Sequence, residues 1–406
     1  MAETILRTDS IEGSGFPLGF KVRHGKERPG VIGLEPSRDL FRVELRALGG
    51  HQKEAVVTEG ATGSAYRSVC DEGAALKGSD LAPFPLGFFS AGLQADFLNR
   101  FIALAAVNKL AVSDVTTELV SIYEFNGSFF RGDGKGSAEA PRIKLRVKTD
   151  APPGAVQAVA RAALDASPII AICRASLANT FALYINGKRR MLRAPAPSSA
   201  PDAPDPLKTW TGIPKPLAGS DELADMISKI SNAPPPPASA PQFGMSVDPS
   251  ATIKRGIDIR GSASIAGGTT DAETWLSVPV GSRFGLKSDE RTNHDQAPSG
   301  MAIAAAGIAY CLTTQLLRYT EVHKMNIRAI RMVQDSPFEL VAGAGGAIKA
   351  VAHPFDTHVF LHGEESDERM EKLLVMAQNT CYLHALLHGP CEPTLDIELN
   401  GAQRAA

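Results

Sequence analysis

The chain has 406 residues, 44% of them hydrophobic and 21% charged, with a formal net charge of −2. This is the composition of a folded globular protein of two or three domains, and it supplies no electrostatic basis for holding nucleic acid or an anionic membrane. Five cysteines in so long a chain make no disulfide framework, and residues 1–15, with Glu3, Arg7, Asp9 and Glu12, contain no apolar targeting core. The expected location is the cytoplasm, where thiols stay reduced.

In chain order, alternation and turn residues predict strands at 18–23, 41–47 and 54–58, then a long apolar helix at 85–107. Strands at 115–125 and 141–148 follow, then a helix at 153–175 and a strand at 180–186. Two proline-rich stretches, 193–206 and 233–241, can hold neither a helix nor a sheet ladder. Between them, Ser220 to Ser231 reads as a short amphipathic helix capped by Ser220, with Leu223, Met226, Ile227 and Ile230 on its apolar face. Beyond the linker come strands at 252–266, 274–280 and 283–287, a helix at 300–322, strands at 326–334 and 347–361, a helix at 365–388 and a strand at 394–399.

The longest apolar stretch, Met301 to Leu312, is too short for a bilayer, so the helix at 300–322 is expected at the centre of a fold. Each half runs three strands, helix, two strands, helix, strand, which is an α+β order with an antiparallel-rich sheet and two helices. The expected domains are 1–190, a linker at 191–250 carrying the short helix, and 251–406. The glycine-rich run at 342–346 lacks the Lys-Ser/Thr of a phosphate loop and reads as a hairpin connection.

The two halves repeat with an offset of 215 residues: Ala82-Pro83 and Ala91-Gly92 match Ala297-Pro298 and Ala306-Gly307. Ser167 stands sixteen residues before Leu-Tyr-Ile-Asn-Gly, and Cys381 sixteen before Ile-Glu-Leu-Asn-Gly. Cys311 therefore answers to Asp96, and Cys381 to Ser167. Buried cysteines are usually inert small hydrophobes. Here both occupy matching landmarks, the other copy has a polar residue at each, and the charged loop Ser288 to Asp295 runs into the Cys311 helix. A duplication with the pair in one copy points to one active site and one degenerate scaffold. Asp96, a carboxylate inside an apolar helix, needs a partner such as Arg67, Lys77 or Arg100. Cys70, Cys173 and Cys391 read as structural, with Cys391 in a turn and open to solvent.

With a cysteine in a central helix, behind Ala305-Ala306 and Ala309, and a second seventy residues on, the chain resembles the OsmC/Ohr family of thiol-dependent hydroperoxide reductases. Cys70-Asp71-Glu72-Gly73 with Pro83-Phe84-Pro85, and Ser288-Asp289-Glu290-Arg291 with Ala297-Pro298, look like the loop that leads into the family's central helix. The resemblance implies two halves packed as an internal pseudodimer around their central helices, with further oligomerisation left open. It implies reduction of a small organic hydroperoxide by Cys311 as nucleophile, with Cys381 resolving the sulfenic acid and a dithiol as the external reductant. No cofactor is implied. Arg291 is the candidate to hold the thiolate. The family's glutamate near the start of the helix is missing; Glu290, or Glu72 from the other half, is the candidate substitute. The proline that follows the second cysteine in the family is also absent, Tyr382 standing there instead.

Two other readings stay open. Seven of the nine histidines lie in the second half, and His384 and His388 share a helix face with Cys381. Thiolate and imidazole together suit a transition metal, although no Cys-x-x-Cys or His-Glu-x-x-His spacing occurs; His384 is alternatively a general base. The pocket would then serve non-redox or metal-assisted chemistry on a small organic compound. The remaining reading is a non-enzymatic binding or scaffold protein.

Overall fold

The computed structural model describes residues 9–26, 35–217, 226–233, 255–291, 294, 296–343 and 346–405. The first half contains α1 (Ile11–Ser14), β1 (Gly19–Arg23), β2 (Ser37–Ala47), β3 (Lys53–Glu59), β4 (Ala65–Cys70), α2 (Pro85–Val107), β5 (Ser113–Asn126), β6 (Lys135–Ala138), β7 (Arg142–Lys148), α3 (Pro153–Asp165), α4 (Pro168–Arg174), β8 (Thr180–Ile185) and β9 (Lys188–Arg190). After α5 (Leu207–Thr211) come β10 (Ile227–Ser231), β11 (Arg255–Ala266), β12 (Thr269–Val278), β13 (Arg283–Ser288), α6 (Gly300–Val322), β14 (Ile327–Ala342), β15 (Ile348–Ala352), β16 (Asp356–Gly363), α7 (Asp367–Thr380), α8 (Tyr382–His388), β17 (Thr394–Leu399) and β18 (Ala402–Ala405). The protein is α+β.

Two sheets form. One runs β1-β4-β3-β2-β14-β16-β8-β9, with β15 on β14; the other runs β10-β13-β12-β11-β5-β7-β17-β18, with β6 on β5. The two orders match strand for strand once first-half and second-half strands are exchanged. Each sheet is therefore hydrogen-bonded across the halves. β2 pairs antiparallel with β14 from Ser37↔Leu340 to Arg46↔Arg331, and β11 with β5 from Arg255↔Phe125 to Ser264↔Thr116. β5 shows how the sequence builds such a strand: Val115, Thr117, Leu119, Ser121, Tyr123 and Phe125 face inward in strict alternation.

Between the sheets lie α2 and α6, with nearly every residue of α6 buried. α6 is long and apolar enough to cross a membrane by length and composition, but its apolar window is 100% buried inside the protein. It is a core helix, apolar on all sides because protein surrounds it. The pair is antiparallel and touches at glycines. A Cβ on Gly307 would lie 2.8 Å from the Phe89 nitrogen and 2.9 Å from the Pro85 oxygen, and one on Gly92 would lie 2.5 Å from the Gly300 oxygen. Only glycine permits that approach.

The structure corrects several sequence expectations. Ile227–Ser231 is a strand, β10, paired with β13, where the sequence predicts part of an amphipathic helix; the start of that predicted helix, 220–225, lies outside the described residues. Pairing in a sheet edge overrides weak local periodicity. β4 is unpredicted because Arg67 interrupts its apolar pattern, although Arg67 is buried against Glu54. The helix expected at 153–175 bends by 74° at Ser167-Pro168, giving α3 and α4. The helix expected at 365–388 likewise divides into α7 and α8, so Cys381 lies at a helix junction rather than inside a helix. Pro354 separates β15 from β16 where one strand is predicted. Residues 197–211 pack on the first sheet: Trp210 is fully buried under the Arg46 guanidinium, and Asp205 accepts two hydrogen bonds from Arg331 at 2.6 and 2.8 Å.

Candidate active site

α6 starts cleanly because Ser299 caps it, its hydroxyl accepting from the Ala302 N–H at 3.3 Å. Cys311, Thr314, Gln315 and Arg318 then recur at helical spacing, a polar stripe on an apolar rod. All four line one pocket. The other walls come from both halves: Glu72 and Leu76 after β4, Phe84 to Leu86 at the start of α2, Ile257, Leu276 and Tyr382.

The distant cysteines meet here. The Cys381 thiol is in hydrogen-bonding contact with the Cys311 thiol, and both are free and buried. Burial, first, and the neighbouring Cys311 push the Cys381 thiol well above its ordinary value, while the Leu383 and His384 N–H groups act against this. His384 Nδ1 sits 3.2 Å from the Cys381 sulfur. Burial lowers His384 to about 3, so its imidazole is neutral and a poor base. Its Nε2 is buried with no hydrogen-bond partner.

Charge at the pocket comes from Glu72, one of the two glutamates the sequence offers, and from Arg318, which the sequence reading does not single out. The Glu72 carboxylate accepts from Thr314 Oγ1 at 2.5 Å and from buried Lys53 Nζ at 3.2 Å. The Arg318 guanidinium lies 3.9 Å over the Phe129 ring and donates to Tyr382. Burial draws Arg318 below its ordinary value, partly offset by Tyr382 and Glu72, and raises Tyr382 to about 12. An arginine so lowered is still a cation at neutral pH. The spacing of Arg318, seven residues after Cys311 on the same face, is the signal that marks it.

Arg291 does not line this pocket. It is held by Asp289, with Nε 2.9 Å from Oδ1, and reaches Gln296. Burial is the largest single influence on Asp289 and works against its charge, but the hydrogen bonds from Arg291 and the Gln296 N–H, with the Arg291 charge, together keep the carboxyl below its ordinary range. Glu290 accepts from the Gly300 N–H at 2.7 Å, at the start of α6 and away from Cys311. Of the two glutamate candidates, Glu72 is the one beside Cys311.

The other copy holds a different pair at the same stations. Asp96 is the twelfth residue of α2, as Cys311 is of α6, and Ser167 caps α4 at the junction that corresponds to Cys381. The Ser167 hydroxyl donates to the Asp96 carboxylate, which also accepts from Arg100 Nε at 2.8 Å. Arg100 is the partner among those the sequence offers.

The histidines of the second half disperse. His358 lies between Tyr184 and Asp356, His362 meets Asp205, His353 meets Glu339, and His388 meets Gln378. Among the described residues, no three His, Cys, Asp or Glu side chains are grouped to hold a metal ion.

No family model matches the chain, and no curated protein matches it. Among solved structures it is similar to an OsmC-like hydroperoxide resistance protein from Jannaschia sp. CCS1, at 18% identity, with 36% of this chain and 96% of that one covered and a TM-score of 0.26.

Proposed function

We propose that the protein reduces organic hydroperoxides with the Cys311/Cys381 dithiol. The observation that carries this reading is the contact between the two thiols at a pocket that also holds a buried arginine and a buried glutamate. The Cys311 thiolate attacks the terminal, hydroxyl oxygen of the peroxide. The O–O bond breaks, the alkoxide takes a proton and leaves as an alcohol, and sulfur becomes a sulfenic acid. Arg318 supplies the positive charge beside the thiolate and the departing oxygen. Glu72, held by Lys53 and Thr314, fixes the polar side of the pocket. Cys381 then attacks the Cys311 sulfur; its proton and the sulfenic hydroxyl depart as water, leaving a disulfide. Neutral His384 orients the Cys381 thiol. An external dithiol restores both thiols by exchange.

The apolar walls favour an organic substrate over hydrogen peroxide. In this reading the two halves form an internal pseudodimer, each lending residues to the site; the second copy, with Asp96 and Ser167, is a scaffold; and a reducing cytoplasm supplies the dithiol. The test is stoichiometric cumene hydroperoxide on the reduced protein, followed by intact mass and peptide mapping. The expected result is loss of two hydrogens with a Cys311–Cys381 cross-link, abolished in Cys311→Ser, and a dimedone-trappable sulfenic acid in Cys381→Ser. Unchanged thiols at positions 311 and 381 would overturn the reading.

A further inference from the structure

A second pair of thiols meets elsewhere in the fold. Cys173 is in the last turn of α4 and fully buried; Cys391 follows α8 and is partly open to solvent. They are 218 residues apart, in opposite halves, and the sequence reading treats both as structural. The Cys391 N–H donates to the Cys173 carbonyl at 2.8 Å, and the Cys173 thiol donates to the Cys391 sulfur. The flanking residues hold the two segments together. Arg174 Nη2 pairs with Glu392 at 2.7 Å, the Ser176 hydroxyl donates to the His388 carbonyl at 2.9 Å, and the Leu177 N–H donates to the Leu387 carbonyl at 2.8 Å. This backbone approach lies within what a disulfide spans.

We propose that Cys173 and Cys391 form a second, independent thiol–disulfide switch, which exchanges with small-molecule disulfides and in its oxidised form ties the two halves covalently. The chemistry divides by position. Cys391 is the reachable sulfur, and the hydrogen bond from Cys173 holds its thiol below the ordinary value, against burial. Cys173 is the sheltered partner, its thiol raised by the same bond and by burial. The Cys391 thiolate attacks one sulfur of a disulfide RSSR and releases one thiolate RS⁻, leaving a mixed disulfide. Cys173 then attacks the Cys391 sulfur, its proton leaving with the second RSH. Two protein thiols are oxidised and one RSSR is reduced to two thiols. No peroxide and no Cys311 chemistry are needed.

The test uses the full chain with Cys311→Ser and Cys381→Ser, together with the wild-type protein mapped by differential alkylation. Each is incubated folded with oxidised glutathione. The expected product has lost two hydrogens, retains no glutathione and maps as a Cys173–Cys391 cross-link. Removing the sheltered thiol with Cys173→Ser should trap one glutathione on Cys391. The oxidised protein should melt higher than the reduced one, with no such difference in Cys391→Ser. Glutathione retained on Cys391 while Cys173 is present, or both thiols still free in both proteins, would overturn the switch and leave the peroxide reading untouched.

Discussion

The Ser167 hydroxyl donates its hydrogen bond to the Asp96 carboxylate at the station where, in the other half, the Cys381 thiol meets Cys311. One copy has a polar contact closed by Arg100, and the other has two free sulfurs beside a pocket. The same backbone juxtaposition therefore supports either a structural ion pair or a dithiol. The difference is three side chains: Asp96, Ser167 and Arg100 stand where the other half has Cys311, Cys381 and Gln315.

The polar pair should matter to stability. Asp96 and Arg100 are both buried, so Asp96→Ala strands a guanidinium in the core and should cost about 3–5 kcal/mol. Adding Arg100→Met removes the stranded charge and should restore much of the loss. Urea unfolding of the single and double variants measures both.

The two arginines near the Cys311 helix should separate in kinetics. Arg318→Met should slow oxidation of Cys311 by cumene hydroperoxide at least tenfold, a barrier increase of about 1.4 kcal/mol or more. Arg318→Lys should not rescue it, because the planar stack on Phe129 and the donor to Tyr382 are both lost. Arg291→Ala, whose side chain is engaged by Asp289, should stay near the wild-type rate. Stopped-flow measurement of the reduced protein gives the comparison.

His384 should leave a mark on the pH dependence of stability. Its folded value, about 3, lies below the unfolded 6.5, so below 6.5 the unfolded chain binds a proton that the fold refuses. Stability present above 6.5 is then lost as pH falls, at about 1.4 kcal/mol per pH unit for this one group. His384→Leu removes that slope. Between about pH 6 and about pH 5 the variant should gain about 1.4 kcal/mol relative to wild type, read from urea midpoints at each pH. Parallel curves would show that the imidazole is not buried neutral.

Glycine positions give a packing test. Gly307→Ala places a methyl 2.8 Å from the Phe89 nitrogen, against backbone that cannot turn aside, and should cost about 1–3 kcal/mol by forcing α2 and α6 apart. Gly154→Ala, on α3 with nothing within 4 Å of the new Cβ, should instead stabilise by about 0.5–1 kcal/mol. Thermal melts of the two variants should move in opposite directions.

The central helices were legible in the sequence because length and apolar content agreed; α2 and α6 begin and end at the predicted residues. The meeting of positions 311 and 381 was legible only through the internal repeat and the family resemblance, since nothing local to either cysteine encodes it. Glu72 was named from the matching loop of the opposite half, whereas Arg291 and Glu290, drawn from the loop before Cys311, do not line the pocket. Arg318 could have been found from its spacing. β4 and β10 could not: a buried arginine paired to Glu54 and a short edge strand depend on partners far along the chain. The contact between Cys173 and Cys391 is of the same kind, set by three flanking bonds between segments more than two hundred residues apart.

The exchange of β5 and β7 for β14 and β16 has a consequence for how such a chain comes apart. Cut within the proline-rich stretch, neither fragment owns a complete sheet: the first would expose the long edges of β2 and β5, and the second those of β11 and β14, as unsatisfied backbone ladders. The pieces should be insoluble when made separately and recover a soluble complex when made together, so that co-expression from two plasmids reports directly on the interlock.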